Sequence, residues 1–191
     1  MFEEGSTVAV AGSRRLSSAA AARVAALAGE LLDAGHSLAV GCCTGADEAV
    51  LRAALARGQA HQLEVLCAFG PGGAGACGWS AVAAVEVAAA HGARVVWWAG
   101  GGCAVPVAAR LAKRTRAVAA AGAGGVLVCF GSPASRGSVL ACREALRLGR
   151  PLRALSASCS VCAVPLPKAG VWRAVGRGGL LEWVPRQGSL L

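Results

Sequence analysis

The sequence predicts an α/β fold: a Rossmann-like, doubly wound, mainly parallel sheet of about six strands with helices on both faces, plus a C-terminal β-hairpin. Two observations favour this class. Short apolar runs alternate with helical segments of roughly ten to fifteen residues, which is the pattern of βαβ units. Glycine-rich turns follow most of the apolar runs, so these turns are predicted to meet at the carboxyl edge of one parallel sheet.

The predicted strands are short apolar runs, as expected where helices cover both faces of a parallel sheet. The clearest is the run from Gly125 to Phe130, which is apolar at every position after its glycine. The predicted strands span residues 7–11, 37–41, 63–69, 94–98, 125–130 and 152–155.

Helices are predicted between these strands. Ser17 or Ser18 can cap the first helix, since a serine hydroxyl accepts a hydrogen bond from a free N–H group of the first turn. Gly35 and Gly149 follow the first and last helices, where glycine readily adopts the conformation that ends a helix. The predicted helices span residues 19–34, 47–55, 79–91, 105–121 and 139–148.

The last part of the chain departs from this alternation. Residues 171–175 and 180–184 flank a glycine-rich turn, which predicts a β-hairpin. We therefore divide the chain into a Rossmann-like domain, residues 1–155, and a C-terminal extension packed on it, residues 156–191. The hairpin either packs its tryptophans on the domain edge or presents aromatic and basic side chains to single-stranded nucleic acid.

The composition narrows the classes of function. The chain has 191 residues, nine cysteines and a formal net charge of +9, which permits a polyanionic partner or a basic nucleotide pocket. No run resembles a membrane helix and the N-terminus lacks a signal-peptide pattern, so we expect a cytoplasmic protein without a membrane partner. The Cys-x-x-Cys at residues 159–162 has no second pair, so no metal site is predicted and the cysteines are expected to be reduced.

The turn at residues 41–47 is the clearest candidate binding element. The second strand ends on Gly41, small residues follow, and a helix begins near Asp47. Such a turn presents unpaired backbone N–H groups at the positive end of a helix dipole, which favours a phosphate. The alternative is that the glycines serve only a tight turn. Because other glycine-rich turns are predicted at the same edge, we favour a nucleotide-like pocket.

In this order, these segments resemble the SLOG superfamily of Rossmann-like domains, which includes the YspA-type proteins, the DprA/Smf core and the LOG phosphoribohydrolases. The resemblance covers about residues 6–155. The YspA-type branch is the most similar, because the second helix opens with Thr-Gly-Ala-Asp. The matching segments are residues 10–14, 41–47 and 131–138, Arg110 and Arg114 in the basic fourth helix, and Arg143 with residues 149–151.

This resemblance implies a nucleotide or a nucleotide-derived ligand, such as an ADP-ribose derivative, at the carboxyl end of the sheet, and no other cofactor. We expect its phosphate on the N–H groups of residues 41–45 and 136–138, with Arg14 and Arg114 as charged donors. Asp47 either favours the helix dipole or contacts a ribose hydroxyl. The predicted binding residues are Gly12, Ser13, Arg14, Gly41, Cys42, Thr44, Gly45, Asp47, Arg110, Arg114, Gly131, Ser132, Arg136, Gly137 and Ser138.

No catalytic residue is predicted. LOG enzymes have a Pro-Gly-Gly-x-Gly-Thr-x-x-Glu motif with a catalytic glutamate, and aligning its Gly-Thr with Gly137-Ser138 places Ala141 at the glutamate position. Alanine cannot take part in proton transfer, so LOG-type phosphoribohydrolase activity is disfavoured. The dipole of the second helix can lower the pKa values of Cys42 and Cys43, but no histidine is predicted beside them.

Three functions remain, in order of preference. The first is the binding or sensing of a nucleotide-like ligand. The second is DprA-like binding of single-stranded nucleic acid, which the net charge and the tryptophan-bearing tail favour, and the third is a phosphoribohydrolase-like enzyme. We also expect a homo-oligomer. Salt dependence separates the first two, since contacts with a phosphate backbone lose affinity steeply as salt rises.

Overall fold

The computed structural model describes residues 2–76, 78–156, 164, 166, 170–175 and 179–186, and six parallel strands form its centre. The predicted alternation of strands and helices is confirmed. The parallel strands are β1 (Thr7–Gly12), β2 (Ser37–Val40), β3 (Leu63–Leu66), β4 (Arg94–Val96), β5 (Gly125–Phe130) and β6 (Leu152–Ser156).

The strand order is β4-β3-β2-β1-β5-β6, which is the order of a doubly wound sheet. Strands β1 to β4 follow one another from the centre of the sheet to one edge, and β5 then lies on the other side of β1. Val8 of β1 is paired with Leu38 of β2 and with Gly125 of β5, and both strand pairs are parallel. The order therefore reverses between β1 and β5, and a crevice is expected at the carboxyl ends of these two strands.

The helices are α1 (Ser18–Asp33), α2 (Ala46–Ala56), α3 (Trp79–Ala90), α4 (Val107–Ala121) and α5 (Arg136–Arg147). Short 3₁₀ turns lie at Ala60–Gln62 and Pro71–Gly73. Four predicted boundaries are wrong by two or more residues. Strands β3 and β4 end three and two residues earlier than predicted. Helix α4 begins two residues later, because Pro106 is its N-cap, and α5 begins three residues earlier, because Ser135 is its N-cap. Residues 136–138 consequently belong to the first turn of α5.

Helices cover both faces of the sheet, as predicted. Alternate residues of β1 point to opposite faces, so Val8 and Val10 join one core cluster while Ala9 and Ala11 join the other. The first cluster is completed by α1, α2 and α3, and the second by α4 and α5. Strand β5 is buried at every position, which explains its continuous apolar sequence.

The predicted C-terminal hairpin is also confirmed. Strands β7 (Gly170–Ala174) and β8 (Leu180–Pro185) pair in antiparallel fashion, and β8 adds to the sheet beside β6. Trp172 and Trp183 form an edge-to-face pair with ring centroids 5.2 Å apart, partly buried against the second core cluster. Most of the predicted turn, residues 176–178, and the Cys-x-x-Cys at 159–162 lie outside the described residues. Within the described part of the chain, no helix is long and apolar enough to cross a membrane.

Candidate functional site

A cleft of about 870 Å³ opens where the strand order reverses. The turn after β1, the start of α2, one face of α4 and the turn between β5 and α5 line it. The parallel pairing of β1, β2 and β5 brings their carboxyl ends to one edge, so turns far apart in the sequence meet here. Of the predicted binding residues, the cleft brings together Gly12, Ser13, Arg14, Thr44, Asp47, Arg114, Ser132, Arg136 and Gly137.

Ser13 holds the turns of the cleft together. Its N–H donates to the Cys129 carbonyl at 2.9 Å, and its hydroxyl accepts the Gly131 N–H at 2.8 Å. Its carbonyl accepts the Ala46 N–H, at the start of α2, at 3.1 Å. Gly12 permits this closeness, since a Cβ there would lie 2.6 Å from the Ala46 Cβ. Ser13 and its neighbours therefore fix the positions of the β1, α2 and β5 turns.

A buried ion pair occupies the N-terminal end of α2. Arg114 Nη1 lies 3.1 Å from Asp47 Oδ2, and both side chains are almost wholly buried. The same Asp47 oxygen accepts the Cys43 N–H at 3.0 Å, while Arg114 Nη2 donates to Cys43 Sγ at 2.9 Å. The guanidinium lies over Gly41, where a Cβ would overlap it. Gly41 therefore makes room for a side chain of the protein itself, and it does not line the cleft.

Burial is the main influence on the charges of this pair. It raises the pKa of the Asp47 carboxyl above its ordinary value, against the opposing effects of Arg114 and the Cys43 N–H. Burial by itself would lower the pKa of Arg114, but the charge and hydrogen bond of Asp47, together with Cys43 and Cys42, outweigh burial and raise this pKa above its ordinary value. The Arg114 Nε is buried and has no hydrogen-bond partner among the described residues. Asp47 and Arg114 thus stabilise each other at the floor of the cleft.

The cysteines at this turn have raised pKa values, in contrast to the lowering that the helix dipole can produce. A hydrogen bond with Cys43 lowers the pKa of Cys42, but a hydrogen bond with Cys67 and burial raise it to about 11. The hydrogen bond with Cys42 and burial raise the pKa of Cys43 well above its ordinary value. Cys42 is buried and its sulfur accepts the Ala68 N–H, which keeps it out of the cleft. Both residues are neutral thiols at neutral pH.

The N-terminal end of α5 is open. Its N-cap, Ser135, makes no capping hydrogen bond with its side chain, because its hydroxyl pairs with the buried Ser138 hydroxyl at 2.8 Å. No acidic residue lies in the first turn, and no atom lies within 4 Å of a Cβ built on Gly137. The first N–H groups of a helix have no partner within the helix. They are therefore available here to an anion, beside the exposed Arg136.

The structure places some of the predicted residues elsewhere. Arg110 is buried outside the cleft, where it donates to the carbonyls of Ala68 at 2.8 Å and Gly75 at 3.0 Å and stacks over Trp98. It joins the loops after β3 and β4. Gly45 has a φ of 81° at the start of α2, a conformation that favours glycine whether or not a ligand binds. The predicted residues outside the cleft lining are Gly41, Cys42, Gly45, Arg110, Gly131 and Ser138.

Four polar residues of the cleft lining are missing from the predicted binding residues: Arg15, Cys43, Thr115 and Ser135. Arg15 follows Arg14 and is equally exposed, so the adjacent pair of arginines was a usable signal. Nothing in the local sequence indicates the bond between Cys43 and Arg114, because α4 supplies the arginine.

The cleft lining among the described residues includes one carboxylate, Asp47, and no histidine. Ala141, at the position of the LOG glutamate, is fully buried in the second core cluster. No group of three potential metal ligands of the His, Cys, Asp or Glu type occurs in the part of the chain that the structure describes. What the cleft offers is therefore positive charge and backbone N–H groups, which bind anions.

Comparison with known proteins gives a similar fold. No protein-family model and no curated protein sequence matches the chain. DNA processing protein A (DprA) from Helicobacter pylori, a protein that binds single-stranded DNA, matches with a TM-score of 0.61 and 20% identity over 78% of this chain. DprA from Streptococcus pneumoniae matches with a TM-score of 0.62 and 22% identity over 83% of this chain. The match spans 64% and 53% of those two chains. The chain therefore has a Rossmann-like fold similar to that of DprA proteins.

Proposed function

We propose that the cleft between β1 and β5 binds the phosphate backbone of single-stranded nucleic acid. The proposal rests on one observation: the open N-terminal end of α5 faces a cleft whose exposed charged side chains, Arg14, Arg15 and Arg136, are all positive. A phosphodiester could accept hydrogen bonds from the free N–H groups of α5 and from these arginines together. The net charge of +9 would attract such a polyanion over a distance.

The similarity to DprA supports this function over the sensing of a small ligand. The H. pylori protein binds single-stranded DNA, and it has the same fold as this chain over most of the chain's length. Because the match spans less than two thirds of either DprA chain, the proposal concerns binding alone. Membership of the SLOG superfamily and of its YspA-type branch, a homo-oligomeric state and a cytoplasmic location remain predictions.

Fluorescence anisotropy with a labelled oligothymidylate of about twelve nucleotides tests the proposal, a length within the known range for single-strand binding folds. We expect the slope of log affinity against log salt to be negative, with about 0.7 contributed by each phosphate contact. Arg136→Ala should weaken binding roughly fivefold, as for an exposed charged contact, and reduce the slope by about 0.7.

The control for this experiment is Arg94→Ala. Arg94 is also exposed, but it begins β4 at the amino edge of the sheet, away from the cleft. If Arg136→Ala and Arg94→Ala have equal effects, binding reflects net charge and the cleft is not the site. If the wild-type chain does not bind the oligonucleotide even at low salt, the proposed function is wrong.

A nucleotide-derived ligand, such as an ADP-ribose derivative, is the second candidate. Two observations favour it: the volume of about 870 Å³ suits a small molecule, and a buried polar pair, Asp47 and Arg114, forms part of the wall. A ligand that binds only the folded chain raises its melting temperature. ADP-ribose should then raise the melting temperature at low millimolar concentration, and the oligonucleotide should not. The reverse result would leave nucleic-acid binding as the function.

A further inference from the structure

A second cleft, of about 610 Å³, lies between the N-terminal ends of α1 and α2. It shares Arg14, Arg15 and Thr44 with the cleft between β1 and β5, so the two clefts adjoin, and together they are called the groove. We propose that this α1–α2 cleft binds further phosphates of the same nucleic-acid strand. The ligand is then an oligonucleotide that passes over the shared residues Arg14 and Arg15. This inference rests on the proposed function and adds a second subsite to it.

The charges of the α1–α2 cleft suit a phosphodiester chain. Its charged lining consists of Arg14, Arg15 and Arg52 against one glutamate, Glu48. Arg52 Nη2 lies 2.6 Å from Glu48 Oε1, so the glutamate is already neutralised by the neighbouring turn of α2. The remaining positive charge lies on the two arginines that also line the first cleft. A phosphate bound there would contact side chains that belong to both clefts.

The second cleft differs from the first in what it presents. The N-terminal end of α1 is already capped, since the Ser17 hydroxyl accepts the Ala20 N–H at 3.2 Å. Side-chain charge, rather than free helix N–H groups, is therefore the attraction in the α1–α2 cleft. Leu16, Ala21 and Ala49 form an apolar part of its lining, against which a sugar could pack. A single nucleotide could occupy one cleft, whereas only a ligand with several phosphates could occupy both.

The length dependence of binding tests this inference. We would measure the affinity of a thymidine dinucleotide and of an oligothymidylate of about twelve nucleotides, using the full chain. Arg52→Ala should weaken binding of the longer oligonucleotide about two- to fivefold, in the range of exposed ion pairs, and leave binding of the dinucleotide unchanged. For the longer oligonucleotide, Arg52→Ala should also reduce the slope of log affinity against log salt by up to about 0.7.

The chain offers a closely matched control in Arg94→Ala. The side chain of Arg52 is 76% exposed beside a glutamate that is 27% exposed, and that of Arg94 is 77% exposed beside Glu64, which is 26% exposed. Both changes remove one charge and leave one unpaired glutamate. Only Arg52 lies in the groove. Arg94→Ala should therefore leave both affinities unchanged.

A second variant tests the sign of the effect. Glu48→Gln removes the negative charge of the α1–α2 cleft, so it should strengthen binding of the longer oligonucleotide about twofold or more, without changing that of the dinucleotide. A purely structural role would make both Glu48→Gln and Arg52→Ala weaken binding.

The outcomes separate this inference from the proposed function. If the wild-type chain binds both lengths, but Arg52→Ala and Arg94→Ala have the same effect on the longer one, the second subsite is wrong and the first stands. An equal loss for both lengths in Arg52→Ala also overturns the second subsite. If the wild-type chain binds neither length, both proposals are wrong.

Discussion

Helices α2 and α5 begin in the same way but differ in what fills their N-terminal ends. Each follows a buried strand and a glycine-bearing turn at the carboxyl edge of the sheet. At α2, the carboxylate of Asp47 accepts a turn N–H and pairs with Arg114. At α5, no acid lies in the first turn and the N-cap serine makes no capping bond. Neither helix has a side-chain cap, so the difference is that the protein supplies an anion at the end of α2 and none at the end of α5, which is available to a ligand anion.

A glycine-rich turn before a helix therefore does not by itself identify a phosphate site. Whether such a turn can bind a phosphate depends on whether the first turn of the helix already contains an acidic residue. Asp47 is such an anion, and its burial requires a cation, which Arg114 supplies from 67 residues away along the chain. Where that anion is absent, as at Arg136–Gly137–Ser138, the positive end of the helix dipole remains unpaired.

The largest expected effect is on stability, from removing the cation at α2. Arg114→Met should lower the free energy of unfolding by about 3–5 kcal/mol, because it leaves Asp47 buried without a partner. Arg136→Met, at the open end of α5, should change it by less than about 0.5 kcal/mol, as is usual at exposed sites. Urea denaturation at neutral pH measures both.

The double variant Asp47→Asn/Arg114→Met sharpens this comparison. Without either charge, most of the lost stability should return, since replacing both partners costs much less than removing one. If Arg114→Met were as stable as the wild-type chain but failed to bind ligand, Arg114 would be a ligand contact. The end of α2 would then be as open as that of α5.

The second expected effect is on thiol reactivity at the end of α2. A pKa of about 11 makes the thiolate of Cys42 about a hundredfold scarcer at neutral pH than the ordinary pKa of 9.0 would. Labelling with iodoacetamide, followed by peptide mass mapping, should modify the exposed Cys103 well before Cys42 in the folded chain. The rate at Cys42 should rise about tenfold per pH unit between pH 7 and 9. Rapid labelling at Cys42 that levels off below pH 8 would mean that the helix dipole governs this turn.

The third expected effect is on stability, at the glycine that ends β2 before α2. A Cβ at Gly41 would overlap the Arg114 guanidinium, so Gly41→Ala should cost about 1–3 kcal/mol, the usual cost of overpacking. Circular dichroism during thermal unfolding would report the loss. A stable Gly41→Ala variant would show that the ion pair does not fill this turn.

The smallest effect is expected at Gly137, where a Cβ meets no atom within 4 Å. Gly137→Ala should be neutral or stabilising by up to about 1 kcal/mol, because alanine lowers the entropy of the unfolded chain and suits a helix. Its methyl group would nonetheless lie at the open end of α5, so oligonucleotide affinity should fall. A loss of stability without a loss of affinity would contradict the assignment of this end as the anion site.

Local sequence patterns were enough to predict the fold class and the edge of the sheet at which the turns meet. Apolar runs such as Gly125–Phe130 and the intervening helical periodicity are local patterns, and parallel βαβ units leave few possible arrangements. They suffice to bring the turns after β1, β2 and β5 together at one edge of the sheet. The start of α5 was predicted three residues late, because Ser135 as N-cap has no strong local signature.

Which turn remains open to a ligand depends on contacts between elements that are distant in the sequence. Arg110 and Arg114 lie one helical turn apart on α4, yet Arg110 joins two loops while Arg114 pairs with Asp47. The sequence predicted the same role for both. A buried charge takes whichever partner the packing of distant elements brings within reach, and no local pattern records that choice. The folded arrangement of α2, α4 and the sheet therefore places a buried ion pair at the end of α2 and none at the end of α5.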